Sequence, residues 1–80
     1  MRLDKFLKVS RIIKRRTLAK EITEAGKVSV NGRVAKPGSA INPGDLLEIR
    51  FGSRIMKVEV LKVTDNVRAN EAAELYRLEE

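Results

Sequence analysis

Leu3, Phe6, Leu7 and Ser10 recur at helical spacing near the start of the chain, while Arg2, Lys5 and Lys8 fall on the opposite side. The spacing predicts a short amphipathic helix whose cationic side turns away from the core. Ser10-Arg11 interrupts the pattern, and Ile12-Ile13 is expected to fill the corner before the next element. A second helix is predicted over residues 14–25, with Leu18, Ile22 and Ala25 as its core stripe and Ala19 allowing close approach. Gly26 follows as a residue able to take the left-handed conformation that closes a helix. With so short a connection, an αα-hairpin or a helix-turn-helix-like pair is the economical arrangement.

The period then changes from helical to alternating. Val28 and Val30 alternate with polar residues, and Asn31-Gly32 tolerates the two positive φ angles of a type I′ turn, so a hairpin is expected there. Pro37-Gly38 and Pro43-Gly44-Asp45 mark further turns. Residues 46–50 read as a strand, Gly52-Ser53 as a turn, and residues 55–63 as a longer strand whose face switches near Leu61 through a bulge. Asn70 can cap a last short helix packing through Ala72, Ala73, Leu75 and Tyr76, with fraying glutamates after it. Leu3, Leu7, Leu18, Ile22, Val28, Val30 and Ile49 are core candidates. The class is α+β: an N-terminal αα pair packed on a small twisted antiparallel sheet, with a short C-terminal helix. Residues 1–65 are expected to form the domain, and residues 66–80 the short helix and acidic tail.

Composition narrows the chemistry. Eighty residues make one domain near the lower end of what folds without staples. There is no cysteine and no histidine, which removes disulfides, thiolate metal sites, the commonest general base and every nucleophile–histidine pair. No pair of acids stands at a catalytic spacing, so no catalytic residue, metal or cofactor is expected, and the chain is not expected to be an enzyme. The charged opening MRLDKFLKVS is not a signal peptide. The apolar runs are far too short for a membrane span, and a reducing cytoplasm is the expected compartment.

Charge changes the picture most. The formal net charge is +6. Residues 1–36 hold eleven Lys/Arg and three Asp/Glu, whereas residues 37–80 hold six and eight. All the positive excess therefore lies in the first half, where it can form one patch attracting a polyanion.

The order Arg2-Leu3-Asp4-x-x-Leu7, Arg16-x-x-Ala19, Ile22, Gly26-Lys27-Val28-x-Val30-Asn31-Gly32-x-Val34, Pro37 and Gly44-Asp45 resembles the S-four RNA-binding domain, named after ribosomal small-subunit protein four. The match covers roughly residues 1–50. The resemblance implies an αα pair (the αL-type RNA-binding motif) beside a five-stranded sheet, with folded RNA bound on the helical face. Carried onto this chain, that face comprises Arg2, Asp4, Lys5, Lys8, Arg11, Lys14, Arg15, Arg16 and Lys20, with Lys27 and Arg33 flanking the hairpin. Lysine offers phosphate a point charge and arginine a bidentate fork. Arg15-Arg16 also stands where helix N-terminal amides can hold an anion. Asp4 has three readings: it orients Arg2 or Arg16 by a salt bridge, it accepts from a base edge or 2′-OH, or it favours the helix N-terminus. The family often has serine before the arginine of the second helix, as a cap; here Arg15 stands there, so the helix start is expected to be satisfied by ligand or water.

Readers of single strands offer several aromatic platforms. Phe6, Phe51 and Tyr76 are the only aromatic residues here, and Phe6 lies on a core stripe, which points to structured RNA held by its backbone. Over its full length the chain is similar to the small standalone bacterial members of the family, relatives of heat-shock protein fifteen. That similarity implies a monomer binding a large ribosomal subunit that still carries peptidyl-tRNA after a stalled ribosome has split. It also implies contact with large-subunit rRNA and the tRNA together. The tRNA would be held in the peptidyl site while a partner of the RqcH/NEMF type adds a largely alanine C-terminal tail. The acidic stretch 71–80 is expected to point away from RNA. General large-subunit recycling, a heat-shock role, a DNA-binding role and a place in an RNA-modifying enzyme remain as alternatives, while a membrane-surface role finds too little exposed apolar surface.

Overall fold

Leu3, Phe6 and Leu7 are fully buried along one side of the first helix, α1 (Leu3–Val9), as the spacing predicts. The structure is a computed structural model and describes residues 1–65 and 67–79. Ser10 closes α1, its amide donating to Phe6 O at 2.9 Å and its hydroxyl to Leu7 O at 3.3 Å. Arg11 then takes a left-handed φ of 62°, and the amide of buried Ile13 returns to Leu7 O at 3.0 Å. Ile13 thus fills the corner between the helices.

The second helix, α2, is Arg16–Glu24. It starts two residues later than the sequence suggests, because Lys14 and Arg15 are spent in the turn and Arg15 is extended at φ −120° and ψ 134°. Its buried stripe also differs. Ala19 and Thr23 face inward, Ile22 is half-buried, and Leu18 (45% exposed) and Ala25 lie outside. The two fully enclosed positions of α2 are thus held by small side chains. Thr23 fits there because its hydroxyl donates back to Ala19 O at 2.6 Å. Leu18, about 100° around the helix from Ala19, then points away from that side. Gly26 (φ 78°) closes α2 as expected. Its amide reaches Thr23 O at 3.0 Å and that of Lys27 reaches Ile22 O at 3.2 Å, the paired bonds of a Schellman end.

Five antiparallel strands follow: β1 (Val28–Val30), β2 (Arg33–Val34), β3 (Leu46–Phe51), β4 (Arg54–Val60) and β5 (Tyr76–Leu78), in the spatial order β2-β1-β3-β4-β5. Asn31 (φ 53°) and Gly32 (φ 84°) make the expected hairpin turn, with Val30 opposite Arg33. Asn31 also ties the turn to β3, its side chain accepting from Leu46 N at 2.9 Å and donating to Asp45 at 3.1 Å. Val28, Leu47, Ile49, Val58 and Val60 form the inner face of the sheet and join Leu3, Phe6, Leu7 and Ile41 in one core.

The C-terminal third departs from the sequence reading. β4 ends at Val60, and the bulge expected near Leu61 follows it: the amides of Leu61 and Lys62 both turn to Leu75 O, at 2.8 and 3.2 Å, two residues opposite one. The expected short last helix is present as a 3₁₀ helix over Ala69–Leu75, with Asn70 inside it and Arg68, not Asn70, at the cap position. Buried Ala72 and Leu75 anchor that helix and turn the chain back to the sheet. After the helix the chain forms a fifth strand, in which Tyr76 pairs with Val60 and Leu78 with Val58, and Glu79, the first of the glutamates expected to fray, donates its amide to Lys57 O at 2.8 Å. Glu80, the last of those glutamates, and Asn66, at the expected boundary, lie outside the described residues.

Candidate nucleic-acid interface

The first turn of α1 is strapped down by the loop after β2. Leu3 N donates to Ser39 O at 2.9 Å and Asp4 N to Pro37 O at 3.1 Å, which satisfies amides that a helix start leaves open. Ile41 N returns to Met1 O at 2.9 Å. This strap sets Arg2 at the rim of the helix pair, with Gly38 against its guanidinium. Lys36, exposed at the root of the strap, was not singled out in the sequence, and no local pattern marks the strap either.

Asp4 lies beneath Arg2 and Arg16. Its side chain is 3% exposed, whereas those of Arg2 and Arg16 are 55% and 48% exposed. Arg2 donates through Nε to Oδ1 at 3.1 Å and through Nη2 to Oδ2 at 3.2 Å. Arg16 Nη2 donates to Oδ1 at 3.5 Å, and the Lys5 amide to the same oxygen at 2.8 Å. Burial alone would raise the Asp4 pKa, but the Arg2 hydrogen bonds, the Arg16 charge and the Lys5 amide outweigh it and hold the carboxyl below its ordinary value. Of the three readings of Asp4, the structure shows two together: the salt bridge with Arg2 and Arg16, and the helix N-terminus, since Asp4 lies in the first turn of α1 and accepts the Lys5 amide. So deep a carboxylate with its oxygens occupied is not placed to meet a base or a 2′-OH. It is a positioning residue beneath two exposed guanidiniums.

Around the corner, Lys8, Arg11 and Lys14 line one shallow hollow with Asp65 and Val67. Lys5 is paired there with Asp65 at 2.8 Å, and this bond lowers the Asp65 pKa. The sequence carried no sign that Asp65 would fold back on α1. At the start of α2, Arg15 provides no side-chain cap, and the first helical bond is Ala19 N to Arg15 O at 3.0 Å. The amides of residues 16–18 therefore face outward beside Arg15 and Arg16, where the dipole and the guanidinium groups favour an anion. Lys20 stands one turn beyond Arg16 on the same side of α2.

The remaining two candidates lie elsewhere. Lys27 follows the far end of α2, whose nine residues separate it from Arg16 by about 13 Å. Its carbonyl accepts Arg50 N at 2.9 Å, joining it to the sheet. Arg33 is on the two-residue edge strand β2. Both flank the β1–β2 hairpin as expected, Lys27 directly before β1 and Arg33 at the start of β2. Among the described residues no group of three or more His, Cys, Asp and Glu side chains is placed to hold a metal, and no helix is long and apolar enough to cross a membrane.

Residues 1–47 match the S4 domain family. The chain is 56% identical over 78 residues (98% of this chain, 89% of the relative) to the RQC P-site tRNA stabilizing factor of Halalkalibacterium halodurans. It is 53% identical over 78 residues (98% and 91%) to the protein of the same name from Bacillus subtilis. The trimeric structure of Vibrio cholerae Heat Shock Protein 15 superposes with a TM-score of 0.90 at 39% identity, covering 99% of this chain and 81% of that one.

Proposed function

The chain belongs to the S4 domain family, and from that premise we propose that it is a non-catalytic RNA-binding factor of ribosome-associated quality control, of the RqcP (YabO) type. It binds large-subunit rRNA and peptidyl-tRNA on obstructed large ribosomal subunits. There it stabilises the tRNA in the peptidyl site while a partner of the RqcH/NEMF type tails the stalled nascent chain with alanine. The name shared by relatives about half identical over 98% of the chain supports the tRNA and the site. The single structural observation that carries the reading is the Arg2–Asp4–Arg16 group. It presents two guanidiniums, pre-oriented by a buried carboxylate, beside the uncapped start of α2.

In this reading Arg2, Arg15 and Arg16 grip phosphates bidentately, and Lys5, Lys8, Arg11, Lys14 and Lys20 extend the field along the helices. Lys5 must exchange Asp65 for phosphate, which the exposure of that pair allows. Nothing in this role calls for bond making, and the cytoplasm is where ribosomes and tRNA are found.

Co-sedimentation with purified large subunits, with and without peptidyl-tRNA, tests the proposal. The chain should prefer subunits that carry peptidyl-tRNA, and Arg16→Ala should weaken that association about tenfold and lower its salt slope by about one. Equal binding to empty subunits, or undiminished binding by Arg16→Ala, overturns it. Light scattering of the free protein checks the expected monomer against the trimer described for the Vibrio protein.

A further inference from the structure

The cationic surface of the helix pair does not stop at Arg2. Residues 36–39 form a tight turn, closed by Ser39 N to Lys36 O at 2.9 Å and by Lys36 N to Ser39 Oγ at 2.9 Å. In this turn the carbonyls of Pro37 and Ser39 hold the first amides of α1, and Gly38 lies against the Arg2 guanidinium. Lys36, two residues from Gly38, therefore adjoins the helical cluster. From Lys36 the sheet carries the charge onward. Ala35 N donates to Val28 O and Arg50 N to Lys27 O, both at 2.9 Å. Lys36, Lys27 and Arg50 thus stand side by side at one end of three adjacent strands about 5 Å apart, all exposed.

The other outward rows of the sheet are balanced. Glu48 stands opposite Lys57 and is paired with it at 3.4 Å, and Glu59 stands opposite Arg77 and is paired with it. The row of Lys36, Lys27 and Arg50 is not balanced, since no salt bridge engages any of them among the described residues. Glu48, two residues from Arg50 along β3, is held by Lys57 instead. Like charges on neighbouring strands destabilise a sheet, so this row has a cost and no use within the molecule.

We propose that the RNA-binding surface continues from Arg2 over the strap onto the end of the sheet, with Lys36 and Arg50, beside Lys27, as phosphate-binding residues of the same site. The inference rests on the function proposed above and enlarges its site. Each step of the track is short. Asp4 Oδ1 joins Arg16 to Arg2 at 3.5 and 3.1 Å, Gly38 joins Arg2 to the turn that begins at Lys36, and adjacent strands join Lys36 to Lys27 and Lys27 to Arg50. A run of cations, each adjoining the next, complements a backbone that carries a charge at every nucleotide. Lysine supplies point charges along it and arginine a fork at either end. Both RNAs of the proposed function offer that backbone, so the site is defined by phosphate and not by one of the two.

The test uses the full chain carrying Lys36→Gln and Arg50→Gln together, compared with wild type and with Arg16→Ala. A control pair, Lys57→Gln with Arg77→Gln, removes the same charge from the balanced rows, and Lys36→Arg with Arg50→Lys restores the charge of the track. Each is titrated with bulk tRNA and, separately, with empty large subunits, over a series of salt concentrations. Whichever RNA Arg16→Ala weakens, the Lys36/Arg50 Gln variant should weaken as well, by about tenfold and with a salt slope lower by about two. The control pair should cost no more than about twofold, and the charge-restored variant should recover binding. Relief of the like-charge row should leave the melting temperature of the Gln variant at or above that of wild type. Undiminished binding of the RNA that Arg16→Ala weakens overturns the proposal, as does an effect confined to an RNA that Arg16→Ala spares. Equal weakening by the control pair, or a Gln variant that melts below wild type, overturns it too. So does loss of an acidic protein partner with RNA binding intact. Failure of the function proposed above shows separately, as a wild-type chain that ignores large subunits while the tRNA titration still decides the track.

Discussion

Arg16 on α2 and Asp4 on α1 are twelve positions apart in sequence, yet Arg16 Nη2 donates to Asp4 Oδ1 at 3.5 Å. The same oxygen takes Arg2 Nε at 3.1 Å. One buried carboxylate therefore joins the first turns of both helices and stops two guanidiniums from repelling each other at close range. It also fixes their outward edges before any RNA arrives, which reduces the side-chain ordering that binding would otherwise require.

Asp4→Asn keeps the volume and one acceptor oxygen but removes the charge. It should lower unfolding free energy by about 1–3 kcal/mol. It should also weaken RNA binding several-fold although residue 4 touches no RNA. Thermal melts and salt-matched RNA titrations measure the two effects. Full RNA affinity in the folded Asn variant would show that Arg2 and Arg16 need no orienting.

The same carboxylate sets an acid limit. Its folded-state pKa is depressed, so the unfolded state binds the proton first and the Asp4 contribution is complete above the ordinary carboxylate pKa. It is lost as pH falls from there through the lower folded-state value. Stability should fall over that acid range in wild type and fall less in Asp4→Asn, as denaturant melts at a series of pH values would show. Parallel profiles would remove Asp4 from the account.

Ala19 is fully buried in the core. Ala19→Leu should overpack this site and cost about 1–3 kcal/mol. Leu18→Ala, at the adjacent exposed position, should cost well under that. Paired chemical denaturation curves test the contrast, and a reversed order would restore Leu18 to the core.

Leu75 is buried, and its carbonyl takes the amides of Leu61 and Lys62 where β4 ends. Leu75→Ala should cost about 2–4 kcal/mol and loosen β5. Amide exchange at Val58 and Val60, which pair with Leu78 and Tyr76, should speed up. A fraying tail would leave both stability and exchange unchanged.

By itself, the sequence determined what local constraints can specify: α1 with its buried Leu3, Phe6 and Leu7, the left-handed stop at Gly26, the Asn31-Gly32 turn, and the concentration of cations in the first half. Each follows from a period or from a backbone conformation that few residues adopt. Tertiary structure decided the rest. Local periodicity favours the larger side chain and so suggests Leu18, but packing in the assembled core encloses Ala19 and Thr23 and leaves Leu18 45% exposed. Residues 76–78 became a strand because β4 had an unpaired edge, a non-local fact that no window around Tyr76 contains. The same holds for the functional surface. Arg2, Asp4 and Arg16 stand out as motif residues, whereas the strap that seats Arg2 and the return of Asp65 to Lys5 are long-range contacts that only the assembled fold defines.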